Sequence, residues 1–250
     1  MEKHDVLDCT RRGFLRIAGS GVALLATSPL TALAANLPSG KALKIATIGA
    51  GHIGSTLGTL WVKAGHPVMF SSRHPEELKG LVGGLGPLAR AGTPDQAIAF
   101  ADVVLLAVPY RVMKQISQDY GKALATKVLV LDATNPIVSR DGEIATWARE
   151  KGAGLASAEL LPGARIVRAF NAIGYARLPE FAGRQGPRTG MPMAGDDPKA
   201  IELASMLVRE VGLEPVVIGP LAMGRHLIPG TPLAGEHTPD EIRKIVATLK

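Results

Sequence analysis

The chain has 250 residues, 46% of them hydrophobic and 20% charged, with 28 Lys+Arg against 22 Asp+Glu and a formal net charge of +6. That is long and apolar enough for one well-formed α/β core, and the basic excess is spread out with no basic block or interleaved aromatics, which argues against nucleic-acid binding. Cys9 is the only cysteine and the six histidines show no pair at ligand spacing, so neither a disulfide framework nor a metal site is expected.

The N-terminus reads Thr10-Arg11-Arg12-Gly13-Phe14-Leu15-Arg16, then an apolar run over residues 17–25, then small residues up to Ala34 and Ala35. This is the order of a processed targeting segment, and the apolar run is too short and too diluted by Gly19, Ser20 and Gly21 to span a bilayer. It resembles the twin-arginine export signal, whose Ser/Thr-Arg-Arg-x-Phe-Leu pattern is matched at Thr10, Arg11, Arg12, Phe14 and Leu15. The resemblance implies passage of the folded protein through the twin-arginine translocase to a periplasmic or otherwise exported location. Residues 1–35 are then the signal, and residues 36–250 a single domain with a C-terminal arm and helix from about residue 224.

The next segment carries the most information. Leu43-Lys44-Ile45-Ala46-Thr47-Ile48 reads as a strand, and Gly49-Ala50-Gly51-His52-Ile53-Gly54 as a turn opening a helix that Gly65-His66-Pro67 stops. Gly49 meets the need for positive φ in a tight strand-to-helix turn, Gly51 permits close backbone approach to a pyrophosphate, and Gly54 lets helix and strand pack closely. Amides from His52 and Ile53 onward face the phosphates with the helix dipole behind them. The second strand, residues 68–70, ends in Ser71-Ser72-Arg73 rather than in the Asp or Glu that would accept hydrogen bonds from the ribose hydroxyls of NAD. Hydroxyls and a guanidinium suit a phosphate instead, so the expected cofactor is NADP.

Strands and helices continue to alternate. A helix is expected over residues 75–81, a short strand near 88–90, and a helix from Thr93-Pro94-Asp95, where Thr93 and Gln96 make a capping box. Apolar strands follow at 102–108 and 128–131, and a sixth at 164–169. The pattern predicts an α/β fold, a doubly wound parallel sheet of the Rossmann NAD(P)-binding kind in the order 3-2-1-4-5-6, with ligands along the carboxyl ends of strands 1, 4 and 5. Beyond it are expected a strand near 191–194, a helix over 198–211, a strand over 215–218 and a last helix over 239–249. At the strand ends stand Ala107-Val108-Pro109-Tyr110, Asp132-Ala133-Thr134-Asn135-Pro136 and Arg168-Ala169-Phe170-Asn171. Ala107, Val108 and Pro109 are candidate cofactor contacts. Asn135 and Asn171 fit either a cofactor contact or turn chemistry, and Tyr110 reads as a packed aromatic.

The glycine turn with Ser71-Ser72-Arg73, Ala107-Val108-Pro109, Asp132-Ala133-Thr134-Asn135-Pro136, Val167-Arg168-Ala169-Phe170-Asn171, Pro192-Met193-Ala194-Gly195-Asp196-Asp197, and the stretch from Gly212 to Leu221 come in matching order. Together they resemble the NADPH-dependent coenzyme F420 reductases and the related dinucleotide-binding module of membrane ferric reductases, across residues 43 to about 226. The resemblance implies an acceptor ring stacked beside the nicotinamide near the loops after strands four and six. It also implies Gly195-Asp196-Asp197 at the far edge of the sheet, and a homodimer in which the arm over 229–239 and the last helix make contacts. One departure is Gly224-Arg225-His226-Leu227-Ile228-Pro229-Gly230, where the family continues with an acidic segment and a helix.

The implied activity is hydride transfer between NADP(H) and a deazaflavin, flavin or metal-chelate acceptor, a small redox partner that needs no catalytic side chain. A small alcohol would need a proton-transferring group. His52 and His226 are the nearest, and both read as solvated or structural. Two alternatives stand beside this activity: a dehydrogenase of a small substrate that retains its nicotinamide, and a non-catalytic NADP-binding sensor or partner module.

Overall fold

The computed structural model describes residues 42–249, so the paired arginines, the apolar run and the small residues of the expected export signal lie outside the described residues. β1 (Ile45–Ile48) leads to α1 (His52–Lys63), β2 (Val68–Ser71), α2 (Lys79–Gly83), β3 (Ala89–Gly92), α3 (Pro94–Phe100), β4 (Val103–Leu106), α4 (Met113–Ala125) and β5 (Leu129–Asp132). Then come α5 (Val138–Asp141), α6 (Glu143–Lys151), α7 (Ala153–Leu160), β6 (Ile166–Arg168), β7 (Gly190–Gly195), α8 (Pro198–Glu210), β8 (Glu214–Gly219) and α9 (Pro239–Val246). The strands form one sheet in the order β3-β2-β1-β4-β5-β6-β7-β8. All neighbours are parallel except β6 and β7. This is a Rossmann-like α/β fold with the expected order 3-2-1-4-5-6, extended by two further strands and a terminal helix.

Every residue of β1, β4 and β5 is buried, as uninterrupted apolar strands must be when helices cover both sheet faces. Successive side chains point to opposite faces. Ile45, Val103, Leu105, Leu129 and Leu131 pack with Leu57 and Trp61 of α1 and Leu203 and Leu207 of α8. Ala46, Ile48, Val104, Leu106 and Val130 pack with Ile98 of α3, Met113 and Leu124 of α4, and Ala148 and Ala156 of α6 and α7. Buried His66 ties the approach to β1 to the end of α8: its Nδ1 accepts from the Leu43 amide at 2.9 Å and its Nε2 pairs with Glu210 at 2.8 Å.

The capping box at α3 is present, with the Gln96 amide donating to Thr93 Oγ1 at 3.3 Å and the Thr93 amide to Gln96 Oε1 at 2.9 Å. Other boundaries need correction. The helix expected over 75–81 is a 3-10 turn at Pro75–Leu78 followed by short α2, because Gly80, Gly83 and Gly84 favour no long helix. The strand expected near 88–90 runs one residue later and further, to Gly92. Gly195-Asp196-Asp197 ends β7, which is the penultimate strand; β8 is the edge. Residues 224–238 fold back on the sheet instead of extending as a free arm. Leu227, Leu233 and Ile242 bury against Ala194, Val216 and Ile218, and the Gly190 amide donates to the His237 carbonyl at 2.8 Å. α9 ends at Val246, short of Leu249. Among the described residues, no helix is long and apolar enough to cross a membrane.

Candidate dinucleotide site

β1 runs out at Ile48 and the chain turns through Gly49 at φ +93°, where an L side chain is strained. A Cβ on Gly49 would stand 2.7 Å from the Ala107 carbonyl oxygen and 2.9 Å from Val108 Cγ1, so the tip of β4 closes against the turn. A Cβ on Gly54 would come within 2.0 Å of the Gly49 carbonyl oxygen, which is why the first turn of α1 can sit so near the strand. Beside Gly51 the reverse holds: a Cβ there would meet nothing within 4 Å. Gly51 is the N-cap of α1, so this open space lies at the start of the helix. Gly51 supplies no side-chain cap and the first turn carries no acidic residue. The amides of His52, Ile53 and Gly54 therefore have no competing carboxylate, and the positive end of the helix dipole is uncompensated.

At the tip of β2 the Ser71 carbonyl accepts from the Ala50 amide at 3.1 Å, and the Ser72 amide donates to the Gly92 carbonyl at 3.2 Å. Ser71 is buried and its Oγ has no hydrogen-bond partner. Ser72 Oγ accepts from the His74 amide at 3.0 Å, which leaves its own proton to donate. Arg73 is exposed, and no carboxylate pairs with it among the described residues; Glu76 instead lies 3.5 Å from His74. An orphaned hydroxyl, a donor hydroxyl and an uncommitted guanidinium, with no acid at the strand end, fit a phosphate better than a ribose diol.

A different construction holds the ends of β5 and β6. Asp132 and Arg168 are register partners and both are 0% exposed; Arg168 Nη1 donates to Asp132 Oδ2 at 2.6 Å. Asp132 also accepts from Ser157 Oγ at 2.6 Å and from the Thr134 amide and hydroxyl at 2.9 and 2.6 Å. Arg168 Nη2 donates to the carbonyls of Thr134 and Leu227 at 2.9 and 3.0 Å, tying the C-terminal segment to the β5 loop. Both oxygens of the carboxylate are engaged and both terminal nitrogens of the guanidinium donate, which offsets the cost of burying the charges, while Arg168 Nε is buried without a partner. Phe170 next adopts φ +65°, an uncommon conformation for a residue with a side chain. Its ring is locked against Trp61 at 5.9 Å in an edge-to-face contact. The kink turns Asn171 back so that its Nδ2 donates to the Thr134 carbonyl at 3.0 Å and lies 3.4 Å from Asn135 Oδ1. Asn171 Oδ1 is buried without a partner.

Pro109 leads from β4 into a 3-10 turn that buries Tyr110 completely. Burial, and then the nearby Asp132 charge, push the Tyr110 hydroxyl up to about 12. His226 is driven the other way: burial and the neighbouring Arg225 charge hold its imidazole below the ordinary value, which favours the neutral ring.

The predicted residues thus gather at the carboxyl ends of adjacent strands: Gly49, Gly51, His52, Ile53 and Gly54 after β1, Ser71 at the end of β2 with Ser72 and Arg73 after it, Ala107, Val108 and Pro109 after β4, and Asn135 and Asn171 after β5 and β6. Residues 44–136 match the family described as NADP oxidoreductase, coenzyme F420-dependent. Rat (Rattus norvegicus) metalloreductase STEAP3 is 30% identical over 190 residues, covering 75% of this chain and 36% of its own length, so the chain spans about a third of that relative. Among solved structures, protein SMa0349 from Sinorhizobium meliloti has TM-score 0.67 and 27% identity, covering 79% of this chain and 96% of that one. A chain from Arthrobacter sp. FB24 described as an F420-dependent NADP-reductase shares the fold, with TM-score 0.61 and 19% identity over 73% of this chain and 87% of that one.

The sequence reading missed two features. The Asp132–Arg168 pair was in principle visible, as opposite charges ending two strands that the expected order makes neighbours. Tyr175 was not. It stacks on His52 with ring centroids 4.5 Å apart and planes 8° from parallel, yet it lies 123 residues away in a stretch with no periodic pattern.

Proposed function

We propose that the chain is an exported NADPH-dependent oxidoreductase that passes a hydride between NADP(H) and a deazaflavin- or flavin-type ring or a metal chelate. The observation that carries this reading is the pairing of the positive-φ glycine turn with a β2 tip that offers Ser71, Ser72 and Arg73 and no carboxylate. The family match over residues 44–136 and the metalloreductase relative support it.

Bound at this site, NADP(H) supplies the hydride chemistry. The chain contributes position and charge. The α1 amides and the glycine turn orient the pyrophosphate, while Ser72 and Arg73 select the 2′-phosphate. The unpartnered Asn171 Oδ1 is an acceptor of the kind a carboxamide N–H requires. The Asp132–Arg168–Thr134 network holds Asn171, and Arg140 with Asn171 holds Asn135, so that ring orientation is set before the reaction. No titratable side chain is required at a hydride-transferring ring stack. Residues 1–35 act, in this proposal, as a twin-arginine signal, and a homodimer would use the surface near α9.

Titration of cofactor-free protein from the exported fraction with NADPH and NADH tests the reading. NADPH should bind at least about tenfold tighter, the worth of one or more charge-assisted contacts. Equal affinities overturn the 2′-phosphate assignment. Tight NADPH binding, with no oxidation by flavin, deazaflavin or ferric chelate, moves the protein to the binding-module reading.

A further inference from the structure

The connection between β6 and β7 crosses α1. Its 3-10 segment, Tyr175–Glu180, is anchored by Leu178, which is buried, and by Phe181 just beyond it. Arg177 bonds Glu236 through Nε at 2.6 Å, fastening the segment to the C-terminal arm, and pairs within the segment with Glu180 through Nη1 at 2.5 Å. The Gly235 amide donates to the Ala172 carbonyl at 2.9 Å, a second tie to the same arm. Tyr175, which follows Gly174, is exposed and stacks in parallel on His52. His52 is the residue that follows Gly51, beside the open space where a Cβ meets nothing. The backbone is therefore tied on both sides of Tyr175, at Ala172 and Ile173 before it and at Leu178 after it, while the Tyr175 ring itself stays exposed beside the glycine turn.

We propose that the Tyr175–His52 stack is a clasp that retains the dinucleotide, with Tyr175 as a positioning residue whose release from His52 sets the rate at which the cofactor leaves. This inference rests on the nicotinamide reading of the site. It requires only a turn of the exposed Tyr175 side chain, since buried Ile173 and Leu178 on either side need not move. The aromatic contact is worth little enough to open on the time scale of turnover and enough to slow escape severalfold. A retained cofactor is what an oxidoreductase would need where free NADPH is not replenished.

The experiment is a double-mutant cycle on the full-length chain, following NADPH release by stopped-flow fluorescence after mixing with excess competing nucleotide. Tyr175→Ala should speed release about threefold to tenfold, and Tyr175→Phe, which keeps the ring, should stay within about twofold of the wild type. His52→Ala should speed it similarly, and the double variant should be no faster than the faster single one, because both remove the same contact. In the cofactor-free chain, Tyr175→Ala should also raise amide hydrogen exchange at residues 173–176. A wild-type chain that binds NADPH, with release unchanged in Tyr175→Ala or with strictly additive effects of the two substitutions, overturns the clasp alone. A wild-type chain that takes up no NADPH overturns the reading of the site and the retention role with it.

Discussion

The turn after β1 and the ends of β5 and β6 both border the candidate site, but they are built from different materials. After β1, the surface is backbone: Gly49 at φ +93°, Gly54 against the Gly49 carbonyl, and the unpaired amides of α1. After β5 and β6 it is side chain, an ion pair with both partners fully buried and six further hydrogen bonds that fix Thr134, Ser157, Leu227 and, through Thr134, Asn171. Backbone sites are local, tolerant of sequence between the glycines and intolerant at them. Side-chain sites depend on groups remote in the chain and fail when one partner is removed.

Arg168→Met strikes the second kind hardest. It strands the Asp132 carboxylate in the core, so stability should fall by about 3–5 kcal/mol in urea unfolding, and Asp132→Leu in the same chain should restore much of the loss. A drop below about 1 kcal/mol for the single variant would mean that the pair is not the anchor described. Gly54→Ala attacks the first kind. With a Cβ 2.0 Å from a backbone oxygen, the turn must shift, at a cost of about 3 kcal/mol of stability. NADPH binding should weaken in step, and calorimetry showing normal affinity would refute the role of this packing.

Ser72→Ala with Arg73→Ala leaves both constructions intact and removes only the β2 tip. NADPH affinity should fall by about 1–3 kcal/mol while NADH affinity stays unchanged. The wild-type advantage of NADPH should shrink with added salt, because Arg73 is exposed. The smallest effect belongs to Tyr110, whose buried hydroxyl has no partner. Its folded-state pKa of about 12 lies above the ordinary value of 10.0. The stability it contributes is complete below pH 10 and is lost as pH rises toward 12, since the unfolded chain ionises first. Tyr110→Phe should leave stability at pH 7 nearly unchanged and flatten that alkaline decline; an identical decline in wild type and variant would show that Tyr110 does not report it.

The glycine turn was legible because each requirement sits within six consecutive residues, Gly49 to Gly54, and the missing acid at the β2 tip was equally local. The Thr93–Gln96 capping box was readable for the same reason. Legibility failed where outcomes depended on distant neighbours. Residues 224–238, with Pro229, Gly230 and Pro232, look like an extended arm by composition, yet Leu227 and Leu233 find an apolar surface on β7 and β8 and the segment folds back. Phe170 carries no signal for positive φ; only the pocket against Trp61 imposes it.

The sequence alone determined the strand order, the position of the glycine turn and the chemistry of the β2 tip, because apolar periodicity and glycine placement act over a few residues. Tertiary structure decided which polar groups meet at the far side of the site: Asp132 with Arg168, Asn171 with Thr134, Tyr175 with His52. Those pairs join segments tens of residues apart, and their geometry exists only once the sheet has set the register of its strands.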